Sequence, residues 1–265
     1  MSILEIKDLT RRFGALTAVN GINVAVEEGE IFGLLGPNGA GKSTVLKMLT
    51  TLLPPTSGTA IVAGLDVVKQ ASKVRRVIGY VPQLLSADGG LTGYENLLIF
   101  SRLYDIPRAE REARIKYSLG MTGLEDAAGR LVSTYSGGMV RRLEIAQSML
   151  HRPPVLILDE PTVGLDPVAR STVWEHIAQL KANYGTTIVL TTHYMEEADA
   201  LCSRIAIMHL GNVAAIGTPE ELKDSIGEGA TLDQVFAHYA GAELEATGGS
   251  FREISRTRRT ARRMG

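Results

Sequence analysis

In residues 3–28 the apolar positions Leu4 and Ile6, and then Ile22, Val24 and Val26, fall at every second place. A period of two belongs to a strand with one buried face, so this stretch predicts an antiparallel β lobe. Residues 31–35 are an unbroken apolar run that ends in glycine-rich sequence, the pattern of a strand buried on both faces. Val45, Leu46, Met48, Leu49 and Leu52 then take helical spacing over 43–53, and Pro54 and Pro55 stop that helix. A further β segment is predicted at 59–62, and 77–82 reads as a strand that delivers Gln83 to a surface. From 91 to 131 the pattern is helical with short loops, and it opens on Thr92 and Glu95 in the spacing of a capping box. The next helix is predicted over 138–150, closed by Pro153 and Pro154, after which the apolar run 155–158 returns the chain to the main sheet. Strand and helix alternate to residue 199. Residues 204–217 then read as a hairpin turning at Gly211 and Asn212, and Thr218, Pro219 and Glu221 start a short helix. Alternation of this kind predicts an α/β fold with a mainly parallel core sheet.

Composition narrows the picture in three ways. A chain of 265 residues, 45% hydrophobic and 22% charged, has the length and apolar content for one large core or two joined lobes, so disorder is not the default. The one cysteine, Cys202, forms no internal disulfide, and the start MSILEIKDL lacks the basic-then-apolar pattern of a secretion signal, so a cytoplasmic location is expected. No stretch approaches the roughly 20 apolar residues that span a bilayer, so a membrane role requires a partner. Charge is unevenly placed: residues 251–265 hold six arginines against Glu253, or +5, which leaves −6 on the rest of a chain of net charge −1. Such a tail suits anionic lipid, nucleic acid or an acidic partner, or else is solvated and contacts nothing specific.

The chemistry begins at Gly36, Pro37, Asn38, Gly39, Ala40, Gly41, Lys42 and Ser43, with Thr44 following. This is the phosphate-loop pattern, and it lies between a predicted strand and a predicted helix, as the pattern requires. Glycines let backbone amides face inward as an anion nest, the helix directs its positive end at phosphates, and Lys42 reaches the β and γ groups. Ser43 is a candidate magnesium ligand. Four apolar residues at 155–158 then deliver Asp159 and Glu160 to a strand end. Asp159 suits the metal's water shell, and Glu160 suits the attacking water, as hydrogen-bond acceptor or base. The bland alternative has both acids capping the turn before Pro161.

Together these residues resemble the ATP-binding cassette (ABC) proteins over nearly the whole chain. The family's Q-loop is similar to Gln83 in YVPQ, its signature to Tyr135-Ser136-Gly137-Gly138-Met139, its D-loop to 164–167, and its switch histidine to His193 in TTH. Phe13 stands where the family has its adenine-stacking aromatic. The resemblance implies a P-loop ATPase fold with an N-terminal β lobe, a helical insert over about 84–153 in an ATPase unit 1–225, and a short extension 226–265 with the Arg-rich tail. It implies ATP and Mg²⁺ as ligands, with Ser43, Gln83 and Asp159 toward the metal and Glu160, His193 and Gln83 toward the water. It also implies a head-to-tail pair of subunits, in which Ser136, Gly137 and Gly138 of one chain close on the nucleotide of the other and Asp166 lies at the seam. A second copy of this chain is the expected mate.

The signature departs from the common form at both ends, with Tyr135 for Leu and Met139 for Gln. Met139 removes the reciprocal side-chain bond of a capping box, a deficit of up to about 1 kcal/mol. YSGGM, THYMEEAD and the Arg-rich end FREISRTRRTARR are similar to the daunorubicin-resistance type of exporter ATPase. The resemblance therefore implies an ATPase subunit at the cytoplasmic face of the membrane that drives export through a separate membrane subunit. The alternatives are a soluble ABC ATPase acting on chromosomes or ribosomes, and a nucleotide-sensing regulator. The chromosome type would need a long coiled coil, and the ribosome type usually has two cassettes; neither feature is present.

Overall fold

Two twelve-residue strands open the chain, β1 (Ser2–Phe13) and β2 (Leu16–Glu27), and pair antiparallel. Leu4, Ile6 and Leu9 on β1 and Ile22, Val24 and Val26 on β2 are buried, so the alternation predicted from sequence faces one core. The strands are longer than the short segments expected, because register shifts between Ile6 and Leu9 and between Leu9 and Arg12 let one ribbon bend without breaking. The computed structural model describes residues 1–247, with side chains to residue 239; the Arg-rich stretch lies outside the described residues.

The chain then enters the main sheet by β3 (Ile31–Leu35), leaves it through α1 (Lys42–Leu49), and completes the first lobe with β4 (Ser57–Val62) and β5 (Leu65–Asp66). The lobe's strand order is β2-β1-β4-β5. The helix α1 ends at Leu49, earlier than predicted. Thr51 takes a left-handed backbone and turns Leu52, 62% exposed, away from the core face that its spacing suggested. A second departure is α2 (Ala71–Val77), a helix the pattern did not disclose because only Val74 of its seven residues is buried. It takes Val77 out of the predicted strand, which is β6 (Ile78–Val81).

Three helices follow, α3 (Gly93–Leu103), α4 (Arg108–Met121) and α5 (Gly137–Met149). They enclose a core of their own, built from Leu97, Ile115, Leu119, Leu124 and Leu143 among others. The capping box predicted at α3 is present: Thr92 accepts from the Glu95 amide, and Glu95 reaches back to the Thr92 amide. Next come β7 (Val155–Asp159), α6 (Pro167–Tyr184), β8 (Thr187–Thr192), α7 (Met195–Leu201), β9 (Arg204–His209), β10 (Asn212–Gly217), α8 (Pro219–Asp224) and α9 (Leu232–Thr247). The β9–β10 turn is Leu210-Gly211, one residue earlier than expected: both residues have positive φ, as a two-residue hairpin with the twist of its strands requires.

The main sheet runs β10-β9-β3-β8-β7-β6, parallel except for β10. All residues of β3, β7 and β8 are buried, which is why these strands read as unbroken apolar runs. One face packs on the β lobe and α1 through Phe32, Leu34, Ile157 and Val189. The other packs on α6, α7 and α8 and on Leu232 and Val235 of α9. Because β8 lies between β3 and β7, the loops after β3 and β7 leave the same sheet edge two strands apart.

Candidate nucleotide site

The turn after β3 is shaped by close backbone packing. A Cβ on Gly36 would stand 2.3 Å from the Met208 carbonyl oxygen, and one on Gly41 would stand 2.5 Å from that of Ala18. Gly41 also has φ +107, so only glycine fits there. The loop of residues 36–41 is thus pressed between β9 and β2, and Ala40 accepts from the Gly211 amide at 2.9 Å. Gly41 opens α1 with no side-chain cap and no acid in the first turn, which leaves the helix's positive end to an anion. Pro37, Asn38 and Gly39 form the outer part of the loop, and Ser43 and Thr44 lie in the helix's first turn.

Lys42 is buried. Its Nζ donates to the carbonyls of Gly36 at 2.6 Å and Pro37 at 3.2 Å, and pairs with Glu160 Oε1 at 3.3 Å. Burial pushes the ammonium below its ordinary value, opposed by the nearby carboxylates of Glu160 and Asp159. Ser43 Oγ donates to Asp159 Oδ1 at 3.0 Å. Magnesium takes hard oxygen ligands and usually only one or two from protein carboxylates, the rest coming from phosphate and water. A hydroxyl and a carboxylate in contact beside a phosphate loop fit that ion. No group of three His, Cys, Asp or Glu forms a metal cage among the described residues.

Glu160 lies just past β7 with φ 48, a left-handed backbone that a glutamate adopts at a cost of order 1 kcal/mol. The carboxylate is the meeting point of the site. Gln83 Nε2 donates to its Oε2 at 3.0 Å, Lys42 holds its Oε1, and His193 Nδ1 stands 3.4 Å from Oε2. That last contact has ion-pair distance without hydrogen-bond direction, and Nδ1 makes no hydrogen bond among the described residues. His193 is the first residue after β8 and is 30% exposed, against 5% for Glu160. The structure thereby brings together Lys42, Ser43, Gln83, Asp159, Glu160 and His193.

One contributor escaped the sequence. Thr191 on β8, fully buried, donates from Oγ1 to Asp159 Oδ1 at 2.6 Å and accepts there from the Glu160 amide at 2.9 Å. Its signal was a hydroxyl pair closing an apolar strand, Thr191-Thr192, which a buried strand carries only where something polar needs a partner.

Phe13, Ser136, Gly137, Gly138 and Asp166 stand elsewhere. Phe13 ends β1, is 45% exposed, and has the Arg11 guanidinium 4.7 Å from its ring centre; it does not fill the lobe's core. Ser136 caps α5 by accepting from the Met139 amide at 3.3 Å, and Met139 returns no side-chain bond. Asp166 caps α6 through the Ala169 amide at 2.9 Å. A Cβ on Gly138 would stand 2.9 Å from the Ala169 Cβ, so the two helix starts are packed together. Ser136, Gly138, Met139, Asp166 and Val168 line a shallow groove there, and no phosphate-loop residue borders it.

Residues 19–163 match the ABC transporter family. The chain is 45% identical over 242 residues to the daunorubicin/doxorubicin resistance ATP-binding protein DrrA of Streptomyces peucetius, covering 91% of this chain and 73% of that one. It is 43% identical over 222 residues to the Nod factor export ATP-binding protein I of Burkholderia lata, covering 84% and 73%. Among solved structures, a dimeric ATP-binding cassette in a post-hydrolysis state, bound to ADP and Pi, superposes with a TM-score of 0.71 at 28% identity over 81% of this chain and 98% of that one. The phosphate loop after β3, the paired acids two strands away at the end of β7 and likeness along most of the sequence lead to one conclusion: the chain belongs to the ABC transporter family, as one of its ATP-binding, ATP-hydrolysing members.

Proposed function

We propose that this chain powers export by hydrolysing ATP as one of a pair of like subunits docked on a separate membrane protein. The observation that carries the chemistry is the convergence of Lys42, Gln83 and His193 on the buried carboxylate of Glu160. Lys42 has donors to turn from the Gly36 and Pro37 carbonyls to the β and γ phosphates. Glu160, released from Lys42, then accepts a hydrogen bond from the attacking water or takes its proton, with Gln83 and His193 fixing where the carboxylate points. Ser43 and Asp159 would hold Mg²⁺, which neutralises charge on the phosphoryl oxygens. Phe13 offers an exposed ring for the adenine.

Pairing is supported by the position of the signature. Ser136, Gly138 and Asp166 share a groove with no phosphate-loop residue at its border, so they are free to close on the triphosphate of a second chain. The dimeric relative supports the same reading. Docking on a membrane protein is supported by exposed apolar side chains beside Gln83, namely Leu84 at 81% and Leu85 at 53%, and by Ile99 and Leu103 one turn apart on α3. No helix among the described residues is long and apolar enough to cross a membrane. Export is supported by the relatives' names, and the cytoplasmic face is the side where ATP is available.

The test uses Glu160→Gln. ATP binding should persist while turnover falls by roughly 10² to 10⁴, and sedimentation with ATP and magnesium should move the variant from monomer to dimer. Adding Ser136→Arg should abolish that dimer. Near-normal hydrolysis would remove Glu160 from its role, and a monomer at saturating ATP would remove the pair.

A further inference from the structure

Residues 83–86 bury no side chain: Gln83, Leu84, Leu85 and Ser86 are all exposed. A segment without apolar anchorage keeps its place through its hydrogen bonds, and here the side chains that bond its main chain come from one helix. Arg141 on α5 is 2% exposed and donates from Nη1 to the Pro82 carbonyl at 2.7 Å and from Nη2 to the Gln83 carbonyl at 2.8 Å. Its Nη1 also pairs with Glu144 Oε2 at 3.0 Å. Glu144, equally buried, accepts from the Ser86 amide and from Ser86 Oγ. One turn further along α5, Gln147 donates to Asn96 Oδ1 at 3.2 Å, and Asn96 in turn bonds both the amide and the carbonyl of Asp88 at 3.0 Å.

The helix that starts at Ser136 therefore grips the Gln83 loop directly at positions 82, 83 and 86, and reaches position 88 through Asn96 of α3. Apolar residues of similar volume commonly stabilise a fold as well as a buried ion pair does, or better, so stability alone does not account for Arg141. Its planar fork does something leucine or lysine cannot, which is to hold two successive carbonyls and a carboxylate in fixed directions.

We propose that Arg141 is a positioning residue for hydrolysis: by holding the Gln83 carbonyl it sets the Gln83 amide against Glu160, so the placement of the signature helix decides how the Glu160 carboxylate points. This rests on the reading of Glu160 and Gln83 as working groups. The chain of contacts is Ser136 to α5, Arg141 to the Gln83 backbone, and the Gln83 side chain to Glu160. Closure of a second subunit on Ser136 would in this way be felt at the carboxylate of the same chain.

The experiment measures kcat and KM for ATP on the full chain with four variants: Arg141→Lys, Gln83→Ala, the two combined, and Arg141→Met with Glu144→Leu. The last removes both charges together, leaves no unpaired buried ion, and decides the matter if Arg141→Lys does not fold. Arg141→Lys and the Met/Leu pair should each lower kcat roughly tenfold or more, within the roughly 10²-fold that a 1 Å misplacement costs, with KM unchanged within about twofold. Combined with Gln83→Ala, Arg141→Lys should add no further loss, because both act on one path. Losses that multiply, or normal kcat in both Arg141 variants beside a slow Gln83→Ala, would overturn the inference alone. Normal kcat in Gln83→Ala would overturn the role of Gln83 and the inference with it.

Discussion

Valine in place of Thr191 keeps the shape of a fully buried side chain and removes one hydroxyl. That oxygen donates to Asp159 Oδ1 at 2.6 Å and accepts from the Glu160 amide at 2.9 Å. The first bond is charge-assisted, so its loss costs about 1.5–3 kcal/mol; Asp159 keeps only Ser43 as partner, at 3.0 Å. The second loss is smaller, about 0.5–1 kcal/mol, since the Glu160 amide also reaches the Thr191 carbonyl at 3.2 Å. The sum, about 2–4 kcal/mol, converts at roughly 2–4 °C per kcal/mol for a chain of this size to a fall in Tm on the order of 5–15 °C. Thr191→Ser keeps both bonds and loses one methyl, for about 1 kcal/mol. Turnover should separate the two variants further, because the hydroxyl directs the Asp159 carboxylate and supplies one of the two acceptors that hold the Glu160 amide; kcat should drop at least about tenfold in valine and little in serine. Urea unfolding and steady-state ATPase assays measure both quantities. Valine as stable as threonine, or serine less stable than valine, would refute the assignment of these bonds.

Three other outcomes are expected. His151 stacks on Tyr104 at 3.8 Å, and its Nε2 stands 3.0 Å from the Ile78 carbonyl; burial pushes its pKa down to about 4 from 6.5. Below 6.5 the unfolded chain takes up a proton that the folded one refuses, so stability should fall as pH drops toward 4, by about 2 kcal/mol at pH 5, and His151→Phe should remove this component in unfolding curves at pH 8 and pH 5. Phe13→Ala should weaken ATP binding by about 1–3 kcal/mol on the scale of base stacking, with kcat at saturation unchanged and Phe13→Trp retaining affinity; fluorescent-nucleotide titration reads this, and equal affinity in alanine would free Phe13 of the role. Glu197 Oε1 accepts from Thr162 Oγ1 at 2.7 Å and from Trp174 Nε1 at 2.8 Å, so Glu197→Ala should cost about 2–4 kcal/mol and alter the emission of the single tryptophan, whereas Glu197→Gln should preserve much of both.

Local signals carried much of the site. The glycines and Lys42 announce a phosphate loop by spacing alone, and Asp159, Glu160 and His193 each follow an apolar strand, so their arrival at one sheet edge was legible before any contact was known. What the sequence could not disclose is neighbourhood across the sheet. Thr191 works because β8 pairs directly with β7, and the strand order does not follow the chain order. Nothing in the spacing of Arg141 and Glu144 tells that each is buried against a loop some 58 residues away. The helix α2 was missed for the opposite reason, since it buries one side chain and so leaves almost no periodic trace.

The position of β8 has a geometric consequence for what the cleft can hold. Two strand spacings separate the ends of β3 and β7, roughly 9.5 Å, so Lys42, carried at the start of α1, and Glu160, just past β7, approach from opposite banks with the end of β8 between them and meet at 3.3 Å. The distance between those banks is set by main-chain pairing of β3, β8 and β7, so it is the same whichever side chains span it. Changing the anion this protein grips would thus demand new residues on the banks, while moving the banks themselves would mean rebuilding the sheet.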